Sequence, residues 1–173
     1  MAKLSIIHAP DPRLKVKSTK VERVDDTLRR LMDDMLETMY EAPGIGLAAI
    51  QVGIPKRIIT IDLAREEEPK APLFLVNPEI VGVAEQDAVY EEGCLSLPGQ
   101  FAEVSRPAWV DLKFVDYHGK QQLLRADGLM ATCIQHEMDH LEGILFVDHL
   151  STLKRNMILR KLLKQRKQQS VGD

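Results

Sequence analysis

The sequence predicts an α+β domain. Strand-like runs are concentrated between Arg57 and Arg125, while helical periodicity is confined to the segments before and after them. The connections between successive runs are too short for helical crossovers, so the sheets should be mainly antiparallel.

The first helix spans Asp25 to Ala42. Leu28, Leu31, Met32, Met35, Leu36 and Met39 recur there at helical spacing, Asp25 or Asp26 serves as N-cap, and Pro43 and Gly44 stop the chain. Its methionines read as core filler. The runs RIITIDL, PLFLV, EIVGV, AVYEE and WVDLKFVD follow, with turn signals at Asn77-Pro78 and His118-Gly119 and a solvated loop from Ala64 to Pro72. A second helix begins after Asp127 and ends at Gly143; a third covers Ser151 to Gln168, with Leu153, Met157, Leu159, Leu162 and Leu163 among basic residues.

A chain of 173 residues fits one domain with a core that needs no disulfide. Hydrophobic residues at 45% and charged residues at 28% describe a soluble globular protein, and no apolar run approaches the ~20 residues that cross a bilayer. Near the N-terminus the apolar stretch Leu4 to Ile7 meets Pro10, Asp11 and Pro12, so no signal-peptide core is present and a cytoplasmic location is expected. In that compartment Cys94 and Cys133 are free thiols or ligands. Charge is uneven: residues 151–173 hold seven Lys/Arg against Asp173, a net of +6, which leaves 16 Lys/Arg and 25 Asp/Glu in residues 1–150, a net of −9.

The chemistry concentrates in QHEMDHLEG, residues 135–143. On a helix His136 and His140 share a face and can offer ring nitrogens to one metal ion. Glu137 projects about 100° around the helix from His136, too far to join the ligands but near enough to act as base on a water held at the ion. The spacing alone also fits a polar helix face on which two histidines fall four apart. A catalytic metal needs a third protein ligand and an open position. Glu142 follows His140 too closely, and His149 lacks the glycine pattern of the usual downstream ligands. Cys94, in EEGCLSLP after Gly93, is the better candidate. A thiolate softens the Lewis acidity of the ion, so a further donor is needed for a developing oxyanion. Gln51, in GIGLAAIQVG after Gly44 and Gly46, offers an amide NH2 for it.

In this order GIGLAAIQVG, EEGCLSLP and QHEMDHLEG resemble the three signature segments of bacterial peptide deformylases, over residues 1 to about 150. The resemblance implies a catalytic domain at 1–150 built around the HExxH helix, with a basic helix and tail at 151–173. It implies hydrolytic removal of the formyl group from the N-terminal formyl-methionine of nascent proteins, releasing formate. Cys94, His136 and His140 would hold one divalent ion, Fe(II) in cells, with Zn(II) or Ni(II) able to replace it. Glu137 would be the base, and Gln51 with the Leu95 backbone N–H would face the oxyanion. The peptide would lie extended along Ile45 and Gly46 beside Gly93, its methionine in a pocket of Ile45, Leu129, Cys133 and His136. A ribosome is a further expected partner through the +6 segment. Neither a membrane nor DNA is expected.

Two rivals stand beside this reading. An HExxH metallopeptidase is opposed by Cys94 and by the missing downstream ligand, and a structural metal module by the presence of three ligands rather than four. Arg106 reads first as a surface residue, with pairing to Glu92 as the alternative. His8, His118 and His149 read as surface histidines.

Overall fold

The computed structural model describes residues 3–172, so Met1, Ala2 and Asp173 of the two predicted segments lie outside the described residues. Among the described residues there are three α-helices: α1 (Asp26–Glu41), α2 (Gly128–Leu141) and α3 (Thr152–Gly172). Strands β1 (Gly46–Ala48), β2 (Ile58–Ile61), β3 (Leu73–Val83), β6 (Trp109–Val115) and β7 (Gln121–Asp127) form a five-stranded sheet in the order β1-β2-β3-β6-β7. Strands β4 (Asp87–Cys94) and β5 (Leu97–Pro107) form a separate two-stranded sheet. Every strand pair is antiparallel, as the short connections require.

Helix α1 matches its predicted span. Asp25 caps it by accepting the Leu28 N–H at 2.9 Å, and Met32, Met35 and Met39 are fully buried against Leu47, Ile58 and Val76. The Asn77-Pro78 turn signal does not separate two strands. PLFLV and EIVGV run on as β3, with Asn77 at φ 50 and a register shift between Val76 and Glu79. The Asn77 side chain accepts from Val21 N–H and donates to the Val21 carbonyl, both at 2.8 Å, which holds the irregular residue as a bulge. Strands β5 and β7 show little apolar–polar alternation in their sequence, β5 because it buries Gln100 and Arg106, and β1 is only 3 residues long, so the sequence pattern passes over them.

Helix α2 is the centre of the molecule. Nine of its 14 residues are buried, and Ala131, Cys133, Ile134 and Leu141 join one core with Ile59, Leu75, Val110 and Leu112. Asp127 precedes it without a side-chain cap bond. Gly143 ends it at φ +75, where a side chain would also come within 2.4 Å of the Lys15 carbonyl oxygen. The second core joins β5, the Phe146–His149 turn and α3 through Leu97, Val104, Phe146, Ile158 and Leu162. Only a narrow stripe of α3 is therefore buried, and Leu153, Met157 and Leu163 face outward.

Candidate metal centre

Helix α2 presents His136 and His140 inward, 8% and 1% exposed, so these histidines do not belong to a solvated polar face. Cys94 stands at the end of β4, where the strand register slips between Gly93 and Cys94. The slip brings its sulfur to 3.3 Å from His140 Nε2. Neighbouring ligands on one tetrahedral ion lie about 3.3–3.6 Å apart, given the usual metal–sulfur and metal–nitrogen lengths. The ligand atoms of Cys94, His136 and His140 all lie within 4.8 Å of one another.

The donor chemistry fits a divalent transition metal. One sulfur and two imidazoles suit zinc and iron-group ions better than calcium or magnesium. His136 Nδ1 sits 2.9 Å from Glu92 Oε1, and that bond fixes the proton on Nδ1 and leaves Nε2 for an ion. His140 Nδ1 and Glu137 Oε2 are buried without a protein partner. The unpaired Glu137 oxygen needs an explanation, and a water at a bound ion supplies one; His140 Nδ1 lies on the opposite side of its ring from the Nε2 that meets Cys94 and is not accounted for by the ion.

Glu92 is itself held by Arg106, which donates Nε to Oε2 at 2.7 Å and Nη2 to Oε1 at 2.9 Å. Arg106 is 5% exposed, so the surface reading of this residue is corrected and the pairing with Glu92 is the one realised. Burial works against the Glu92 anion, but the hydrogen bonds from His136 and Arg106 outweigh it and keep its carboxyl below the usual glutamate range. The opposite balance holds for Glu137. Burial dominates there, and its carboxyl is pushed up to about 7. Two carboxylates that flank the His136 ring are thus set apart by environment: Glu92 is held ionised against Nδ1, while Glu137 is poised to exchange a proton near neutral pH.

Gln51 is fully buried in the 3-10 turn after β1. Its amide oxygen accepts the Ala48 N–H at 2.9 Å, so the NH2 must face the other way, toward Ser96 Oγ at 3.0 Å and the Cys94 sulfur at 3.5 Å. Gly46 allows β1 to pass close to the base. A Cβ there would lie 3.1 Å from Glu137 Cδ and 3.0 Å from the Cys133 sulfur.

A cavity of about 600 Å³ opens beside these groups, lined among others by Ile45, Gly46, Gly93, Cys94, Leu95, Leu129, Cys133, His136 and Glu137. Every site residue expected from the sequence is therefore gathered at one place, with Gln51 and His140 behind the cavity wall. Sequence reasoning missed Phe101, 63% exposed at the rim, and Phe146, whose ring stacks on His136 with centroids 6.0 Å apart. Exposed aromatics and stacking partners leave no local spacing to detect.

The polypeptide deformylase family model matches residues 3–156. The chain belongs to this family. The peptide deformylase of Phenylobacterium zucineum is 59% identical over 167 residues, covering 96% of this chain and 99% of that protein. The Pelagibacter ubique peptide deformylase is 58% identical over 164 residues, with 95% of each chain covered. The crystal structure of the Ehrlichia chaffeensis peptide deformylase superposes with a TM-score of 0.93 at 39% identity, covering 97% of this chain and 99% of that one. Membership in the deformylase family sets aside the metallopeptidase rival, and the residue the structure brings beside the HExxH histidines is Cys94 from the end of β4 rather than one further along the chain. No described helix is long and apolar enough to cross a membrane.

Proposed function

We propose that this deformylase-family enzyme hydrolyses the formamide of N-formylmethionyl peptides, releasing formate and a free N-terminal methionine. One observation carries the reading: a sulfur and two imidazoles converge beside a buried carboxylate, one oxygen of which has no partner, in the wall of an apolar cavity. Cys94, His136 and His140 hold the ion, which is Fe(II) in the cell and is replaceable by Zn(II) or Ni(II). When bound, it supplies Lewis acidity, polarising the formyl carbonyl and acidifying a water.

The chain's own residues do the rest. Glu137 takes a proton from the attacking water, whose oxygen bonds to the formyl carbon. As the C–N bond breaks, Glu137 returns that proton to the amine nitrogen and formate departs. Gln51 Nε2 and the Leu95 N–H donate to the formyl oxygen as it gains charge. The orientation of the Gln51 amide by Ala48 supports this role. The peptide backbone extends along Ile45 and Gly46 past Gly93, and its methionine enters between Ile45, Leu129 and Cys133. Such a pocket gives one strong apolar contact, and the strand-like backbone pairing makes downstream sequence matter little.

The test is formate release from formyl-Met-Ala-Ser beside its unformylated counterpart and an internal-amide peptide. Formate from the first with no cleavage of the others is expected; cleavage of the internal amide instead would refute the assignment.

We further propose that residues 1–150 are the catalytic unit, working in the cytoplasm, and that the basic segment 151–173 docks on ribosomal RNA. Its support is the charge asymmetry and the outward faces of α3. Ribosome binding should weaken steeply with salt and be lost on truncation after Leu150, whereas equal cosedimentation of the truncated chain would remove the docking role.

A further inference from the structure

His149 sits in the short 3-10 turn Phe146–His149, and its sequence context marks it only as a surface histidine. Its Nε2 lies 2.7 Å from Asp139 Oδ2. The same oxygen accepts Arg106 Nη1 at 2.8 Å. Arg106 grips both oxygens of Glu92, and Glu92 Oε1 meets His136 Nδ1 at 2.9 Å. An unbroken line of hydrogen bonds thus runs from a half-exposed histidine to a metal-ligand imidazole. Exposure falls along it, from 38% for the His149 side chain through 22% for Asp139 to 5% for Arg106 and 4% for Glu92.

We propose that His149 is a positioning residue for the ligand His136, acting through Asp139, Arg106 and Glu92. The inference rests on the metal centre assigned above. Asp139 is the weak link, because it is the one carboxylate of the line that water reaches, at the edge of a solvent-open groove also lined by Arg57 and Glu142. A carboxylate there can swing toward water. An N–H from His149 on the oxygen that Arg106 uses holds it in place and so keeps the guanidinium flat against Glu92. The fork geometry of arginine makes this transmission directional, since moving one nitrogen rotates the plane that carries the other two.

The turn that holds His149 is rigid enough to serve. Asp148 Oδ2 accepts the Leu145 N–H and Asp148 Oδ1 accepts Arg155 Nε, both at 2.9 Å, tying the turn to itself and to α3. Its first residue, Phe146, stacks on the His136 ring at an interplanar angle of 25°. The turn therefore reaches His136 twice, once by ring packing and once by the hydrogen-bonded line.

The experiment follows Zn(II) release from the fully loaded protein into excess chelator, with the visible spectrum of the Co(II)-loaded protein as second readout. Removing a direct partner of a ligand histidine changes metal affinity roughly 10- to 100-fold, and His149 stands further out. His149→Phe, which fills the site without donating to Asp139, should release Zn(II) about three- to tenfold faster and shift the Co(II) bands, scaled down from that range. His149→Gln, whose amide can donate to Asp139, should stay within about twofold of the parent and keep its spectrum. Parent-like release by His149→Phe overturns the proposal. Equal acceleration by Phe and Gln also overturns it, because the effect would then come from packing of the turn; His149→Ala, which cannot donate, gives the same comparison if Phe prevents folding. A parent chain that retains no metal would instead refute the metal centre itself, and the positioning role with it.

Discussion

Glu137→Gln is expected to bind as much metal as the parent chain and to release formate roughly 100- to 10,000-fold more slowly, the usual range for loss of a positioned general acid–base. The substitution keeps volume and shape at a residue only 2% exposed and packed against Gly46, so the fold and the three ligands stay in place. What it removes is the ability to take a proton. Burial has raised the Glu137 carboxyl to about 7, which is the property that a proton-exchanging group at neutral pH requires and that an amide cannot reproduce. Metal content and formate release measured on the same preparation separate the two effects. A variant that keeps its metal and turns over at the parent rate would show that another group is the base.

Arg106→Met should destabilise the protein by about 3–5 kcal/mol, the cost typical of leaving half of a buried ion pair behind. Glu92, 5% exposed, would lose two hydrogen bonds and its counter-charge, and Asp139 would lose one. Urea unfolding of parent and variant at neutral pH measures the difference, with a change in midpoint at constant slope as the expected form. The pH dependence gives a second check. Because the folded-state carboxyl of Glu92 is held below the ordinary value of 4.5, the stability it contributes is present above that value and disappears as pH falls through the lower folded-state value. The parent should therefore lose stability steeply below about pH 4.5, and Arg106→Met should lose less there, having less to lose. A variant within about 1 kcal/mol of the parent would mean that Glu92 does not depend on Arg106 as its counter-charge and would contradict the role given to the pair.

The candidate site residues were legible because each lies in a contiguous stretch: the two histidines and the glutamate within one helical turn and a half, Cys94 and Leu95 side by side, Gln51 after a glycine-rich entry. The groups that orient them were less so: the pairing of Arg106 with Glu92 stood only as the alternative to a surface arginine. Glu92 meets His136 across 44 residues of sequence and Arg106 meets Asp139 across 33, and no local period records a contact of that kind. Helix α1 could be read from its apolar stripe because one face is buried. Helix α2 was placed by its motif and by Gly143 instead, since burial on several sides leaves little contrast between faces. Asn77-Pro78 misled for a different reason: its turn chemistry is real, but Val21 binds the asparagine and turns a break into a bulge within β3.

X-ray absorption at the edge of the bound metal tests the central claim most directly. One sulfur and two imidazoles, with a single remaining light atom from solvent, is the predicted coordination, and Cys94→Ser should remove the sulfur contribution alone. A spectrum without sulfur, or one with a fourth protein ligand closing the site, would contradict it.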